Sequence, residues 1–124
     1  MIDHVSLGTR SYPEAVAFYR QALKPLGIEL LRDTGAEAAF GSAAQWSFFL
    51  YPVAEDEPVT AKGLHIALGA PSRDVVAAAH AAALAASAQD IFTPRERPDI
   101  STTYFGAMFL DLDGHRIEVL TNAS

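Results

Sequence analysis

The chain opens with an alternating segment, residues 2–8 (IDHVSLG), in which Val5 and Leu7 fall on one side and His4 and Ser6 on the other. Such period-two alternation among β-forming residues predicts a strand with one buried face. Beyond Ser11, the residues Ala15, Phe18, Tyr19, Ala22 and Leu23 recur at helical spacing and form one apolar stripe. Ser11 suits the N-cap of that helix, and Pro13 and Glu14 suit its first turn. Three strand-like segments follow, at residues 28–32, 37–40 and 46–51, with Gly35 and the Gly41-Ser42 pair as turns between them. Strict alternation in the last of these places Trp46, Phe48 and Leu50 on one face, and Ser47, Phe49 and Tyr51 on the other.

The same pattern then recurs. At an offset of 61 residues His4 falls on His65, Val5 on Ile66, Leu7 on Leu68, Gly8 on Gly69 and Ser11 on Ser72. Residues 64–69 read as a strand, Ser72 as an N-cap with Asp74 in the first turn, and an alanine-rich helix follows. Strands are expected near residues 90–93, 103–110 and 116–120, with a turn at Asp113-Gly114. Each half therefore reads β-α-β-β-β, an α+β chain built as one domain. Module 1 covers about residues 1–52, an acidic connector with two prolines covers 52–62, and module 2 covers about 63–124. A unit of about 60 residues buries too little surface to stand alone. Each module also leaves one sheet face bare, to meet its twin, a second chain or a ligand. The pattern leaves open whether the modules pair within one chain or between two.

Composition narrows the function. Half of the 124 residues are hydrophobic and 19% are charged, which is globular. Nine Lys and Arg stand against 15 Asp and Glu, and with a net charge of −6 and no basic run a nucleic-acid partner is not expected. The absence of cysteine excludes disulfides, thiolate zinc sites, iron–sulfur clusters and a cysteine nucleophile. The N-terminus does not read as a secretory signal, and the alanine run at 75–88, interrupted by His80 and Ser87, is too short to span a bilayer. A cytoplasmic protein with a small-molecule partner and no membrane association is expected. No G-x-G, P-loop or G-x-S-x-G pattern is present.

The remaining chemistry lies on strands. His4 and His65 hold equivalent places on the helix-free faces of the two modules, where they could approach each other across a pseudo-two-fold axis. Glu118, in HRIEVL, points away from the neighbouring Ile117 and Val119. A carboxylate in an apolar closing strand is costly to bury unless it is paired or bound to metal. Two imidazoles and one carboxylate that leave positions open suit a divalent ion such as iron, nickel, zinc or manganese. Tyr104 is a candidate catalytic residue that donates to a substrate or handles its protons. Trp46 and Phe48 are candidates to line the cavity. Arg95 and Arg97, read as a loop, are candidates to hold an anionic group. His80 and His115 are expected to be solvated, and Asp111 and Asp113 to serve a turn.

The repeat, the opening IDHVSLG, the mid-chain GLHIAL and the closing DLDGHRIEVL together resemble the vicinal oxygen chelate superfamily, which contains glyoxalase I, extradiol dioxygenases, and fosfomycin- and bleomycin-resistance proteins. The resemblance covers essentially the whole chain. It implies two βαβββ modules forming a cupped mixed sheet around a metal, with His4, His65 and Glu118 at the ligand positions, and a homodimer. It implies a metal-dependent enzyme, of lyase, isomerase or dioxygenase type, that chelates the oxygens of a small organic molecule. The alternative is a metal-free ligand-binding protein like those of bleomycin resistance. Glyoxalase I places a fourth ligand, Glu or Gln, on the last strand of module 1. Here that position falls at about Phe48, which argues against glyoxalase I activity.

Overall fold

The computed structural model describes all 124 residues. Module 1 comprises β1 (Val5–Thr9), α1 (Tyr12–Ala22), β2 (Glu29–Asp33), β3 (Ala38–Ser42) and β4 (Gln45–Pro52). Module 2 comprises β5 (His65–Gly69), α2 (Arg73–Ala85), β6 (Gln89–Glu96), β7 (Phe105–Leu110) and β8 (Arg116–Thr121). Each module builds one four-stranded mixed sheet, in the orders β1-β4-β3-β2 (sheet A) and β5-β8-β7-β6 (sheet B). The first strand of each runs parallel to the last, with Val5 opposite Phe48 in one and Ala67 opposite Glu118 in the other. The repeat read in the sequence is thus a repeat of topology.

The modules meet through their helices, because the apolar stripes of both helices and the covered sheet faces must leave water together. Phe18 of α1 packs edge-on to Phe109 of β7 at 6.1 Å, while its neighbour Tyr19 packs on Phe48 of β4 at 4.7 Å. One core of 18 buried residues draws on both modules. The helix-free faces, which carry the candidate chemistry, therefore turn outward.

Polar bonds reinforce this junction. The Tyr19 hydroxyl donates to Asp111 Oδ2. The Arg10 amide donates to Asp113 Oδ1 at 3.0 Å, and His115 Nε2 donates to the Gly8 carbonyl at 2.8 Å. Asp111 serves its own turn as expected, since its Oδ1 accepts from the amides of Asp113 and His115, both at 2.9 Å.

Both histidines expected in solvent are buried, His80 to 4% and His115 to 1% exposure. His80 shares the buried stripe of α2 with Val76, Ala79 and Ala83 and bonds Asp90 Oδ1 at 2.8 Å. Alanine on nearly every side of that helix conceals the stripe in the sequence. The expected caps also differ. Ser72 accepts from the Val75 amide at 3.2 Å, whereas Ser11 makes no side-chain cap and its own amide donates to Thr9 Oγ1 at 3.1 Å.

Candidate functional site

Glu118 sits in the middle of β8. Ile117 and Val119 on either side are buried under the helices at 0% and 1% exposure, which by strand alternation turns Glu118 to the open face of sheet B. It is nevertheless only 7% exposed. A buried carboxylate needs partners, and both oxygens have one. Oε1 lies 2.7 Å from Nε2 of His65, on the adjacent strand β5. Oε2 accepts a 2.6 Å hydrogen bond from the Tyr104 hydroxyl.

Tyr104 reaches Glu118 by crossing Gly106. A Cβ at that glycine would lie 2.6 Å from Cζ of the phenol ring, so only a residue without a side chain leaves the ring its place. Burial, the bond to Glu118 and the charge of that carboxylate all push the phenol well above its ordinary pKa, and the nearby Arg97 only partly opposes them. Tyr104 was expected to serve a substrate directly. In the structure it is 3% exposed and its hydroxyl is committed to Glu118.

His4 occupies the corresponding place on sheet A, but it stands apart from this pair. Its Nδ1 lies 2.8 Å from Asp3 Oδ1, and its ring meets Phe49 edge-on at 5.1 Å. Strands β1 and β5 flank a cleft of about 640 Å³ whose lining includes both His4 and His65 with Val5, Leu7, Ile66 and Leu68. Within one chain no group of three or more His, Cys, Asp or Glu side chains gathers closely enough to hold a metal ion. The residues of a single chain thus bring together two of the three expected ligands, and alone they do not fit a three-ligand centre.

The aromatic residues are distributed differently from strict alternation. The pairing of β3 with β4 slips between Phe40 and Gly41, so that Phe40 faces Phe48 while Gly41 faces Trp46. A Cβ at Gly41 would overlap the Gln45 carbonyl, and this close approach forms the bulge. Trp46 consequently joins Phe49 on the open face, with ring centroids 6.4 Å apart, and is 42% exposed. Phe49 stacks at 6.5 Å on Tyr51, whose hydroxyl donates to Glu37. Phe48, expected at the cavity, does contribute to the lining of the cleft between β1 and β5, although it is 2% exposed and packs mainly among Tyr19 and Phe40. The neighbouring Phe49 turns to the open face with His4.

Arg95 lies in β6 rather than in a loop, and Arg97 follows the end of that strand. Both stand over the Phe92 ring. Gly106, Phe49 and Phe92 were not singled out from the sequence. The alternation of β4 already put Phe49 on the helix-free face with His4. The residue pattern did not mark Gly106, because strand alternation does not announce that the Tyr104 ring, two residues earlier, folds back over it.

The sequence profile of the Glyoxalase/Bleomycin resistance protein/Dioxygenase superfamily matches residues 1–119, and the chain belongs to that superfamily. Among solved structures it is similar to a glyoxalase/bleomycin resistance protein from Albidiferax ferrireducens, with a TM-score of 0.84, 24% identity, and coverage of 96% of this chain and 97% of that one. It is also similar to a glyoxalase/bleomycin resistance protein/dioxygenase family enzyme from Burkholderia phytofirmans, with a TM-score of 0.74, 16% identity and 98% coverage of both chains. A glyoxalase I mutant from Zea mays matches with a TM-score of 0.73 and 20% identity, over 96% of this chain and 46% of that one. No protein of curated function matches the sequence significantly. No helix is long and apolar enough to cross a membrane.

Proposed function

We propose that the chain is a divalent-metal-dependent enzyme acting on a small oxygen-bearing molecule, with His65 and Glu118 of one copy and His4 of a second copy as the metal ligands. The single observation that carries this reading is the Glu118 carboxylate, buried on the open face and held 2.7 Å from His65 by a tyrosine committed to its other oxygen. Strands β1 and β5 each have a neighbour on one side only, so each leaves a row of backbone groups unpaired. A second copy that lays its β1 beside this β5 brings its His4 to the level of His65, since the two histidines hold the same place in the repeat. A homodimer follows from this reading.

A divalent ion held by two imidazoles and a carboxylate supplies a Lewis acid with open positions for substrate oxygens. Iron, nickel, zinc and manganese all suit that donor set. The role of this chain's own residues is positional. Tyr104 stays protonated, fixes the rotamer of Glu118 and leaves Oε1 directed at His65. The reaction class is that of a lyase, an isomerase or a dioxygenase. Glyoxalase I chemistry is not proposed, because the position that would supply its fourth ligand is the core residue Phe48.

Metal titration of untagged protein tests the reading. About one ion per chain is expected, lost in Glu118→Ala and His65→Ala. Failure to bind iron, nickel, zinc or manganese in turn overturns it. A second reading, a metal-free ligand-binding protein, is favoured by the aromatic row of Trp46, Phe49 and Tyr51 on sheet A. Its mark is tight binding of a planar aromatic compound that a chelator leaves unchanged.

A further inference from the structure

The open face of sheet B carries a second cluster, at its β6 edge. Phe92 is 8% exposed, and two guanidinium groups lie over its ring, Arg95 at 4.7 Å and Arg97 at 5.2 Å from the centroid. An irregularity in β6 makes this possible. Phe92 pairs with Met108 and Arg95 with Gly106, so the third residue after Phe92 meets the second before Met108, which restores Arg95 to the same face as the ring. Arg97 is fixed by Asp99, through Nε at 2.9 Å and Nη2 at 2.7 Å. Arg95 has no carboxylate partner. Arg116, on the same face of β8, has none either and rests on Met108 Sδ at 3.7 Å.

Two cations held over one ring repel each other, and their attraction to the aromatic face offsets this only in part. Asp99 pairs directly with Arg97 alone, while Asp99 also attracts Arg95, and Glu118 attracts Arg97, at longer range. Arg95 is thus left without an ion pair of its own in a chain of net charge −6. Its location is equally specific. Phe92, Met108 and Glu118 are successive partners across β6, β7 and β8. Two strand spacings put the Phe92 backbone about 10 Å from that of Glu118.

We infer that Arg95 and Arg97 form an oxyanion subsite for the carboxylate or phosphate arm of the ligand whose oxygen-bearing head reaches His65 and Glu118. The guanidinium fork of Arg95, steadied on Phe92 and otherwise unpaired, offers two parallel donors to such a group. The ligand class is a bifunctional anion that spans about 10 Å, two strand spacings. This rests on the proposed function for the position of the head group, but the subsite itself needs no metal.

Chelator-treated, metal-free protein is titrated with benzoate and, separately, with inorganic phosphate, following the arginine Nε–Hε signals by NMR. Saturable shifts of the Arg95 and Arg97 signals are expected for at least one anion, with benzoate alone indicating a carboxylate arm and phosphate alone a phosphoryl arm. Arg95→Gln weakens binding about tenfold or more, Arg95→Lys less, and Arg32→Gln on sheet A not at all. Absence of saturation by either anion, or wild-type binding in both Arg95→Gln and Arg97→Gln, overturns the subsite. Neither result depends on whether His65 and Glu118 hold a metal.

Discussion

Tyr104 lies across Gly106 so closely that a methyl group on the glycine would meet the phenol ring, and this contact delivers the hydroxyl to Glu118. Gly106→Ala is expected to displace the ring and break that bond. Loss of a buried hydrogen bond to a charged acceptor costs about 1–3 kcal/mol. For a domain of this size the melting temperature should fall by roughly 4–10 °C. Tyr104→Phe should cost a similar amount, and the double variant little more than either, because both remove the same interaction. Full additivity in a melting series would show that the glycine does not act through the tyrosine.

All four tyrosines, Tyr12, Tyr19, Tyr51 and Tyr104, are held above the ordinary phenol pKa of about 10. For Tyr12 burial and the bond to Asp33 push it up to about 12. Burial also dominates for Tyr19 and Tyr104, while Tyr51 is raised mainly by donating to Glu37. A phenol whose folded pKa exceeds its unfolded one contributes stability that is present below about pH 10 and lost as pH rises through the folded value. Absorbance at 295 nm should therefore stay nearly flat through pH 10 and then rise together with unfolding. A tyrosine titrating freely near pH 10 in folded protein contradicts these environments.

Adjacent phenylalanines on β4 should behave oppositely. Phe48→Ala empties part of the core and is expected to cost about 3–5 kcal/mol. Phe49→Ala removes an outward-facing ring that stacks on Tyr51 and should change stability far less. Trp46 is the only tryptophan and stands beside Phe49, so a ligand on sheet A should alter its emission, and less so in Phe49→Ala. Equal destabilisation by the two substitutions would refute the assigned faces.

The module junction depends on a few polar groups in the Asp111–His115 turn. Tyr19→Phe leaves Asp111 Oδ2 without its donor in a buried site, and is expected to cost about 1–3 kcal/mol. Urea unfolding should show the loss as a lower midpoint with an unchanged slope. A midpoint equal to that of the wild type would show that the core alone holds the modules together.

Much of the fold was legible because each module states its grammar twice. The alternation of β1 and β5 fixed which side of the strand His4 and His65 occupy, and Ile117 and Val119 did the same for Glu118. What escaped was long-range. The slip at Gly41 reverses Trp46, and no two-residue period announces a bulge. His80 was hidden by alanine on nearly every side of α2. His115 follows a turn that looks exposed, yet it reaches back across the module junction to Gly8. For the site, the residue types were readable, but the separation of His4 from the His65–Glu118 pair within one chain was not. Equivalent positions in two modules say nothing of whether the helices or the open faces bring those modules together.

The claim that the site is completed by a second copy is tested most directly by mixing two variants that each lack one half of it, His4→Ala and Glu118→Ala. Each alone should bind no metal tightly. Unfolded together and refolded as a mixture, the two chains form mixed dimers in which His4 of one chain meets His65 and Glu118 of the other. At equal proportions the mixture should regain about a quarter of the wild-type metal per chain, because half of the dimers are mixed and each restores one of its two sites. A mixture that binds no more metal than the separate variants, while wild-type protein binds fully, would contradict a site shared between copies.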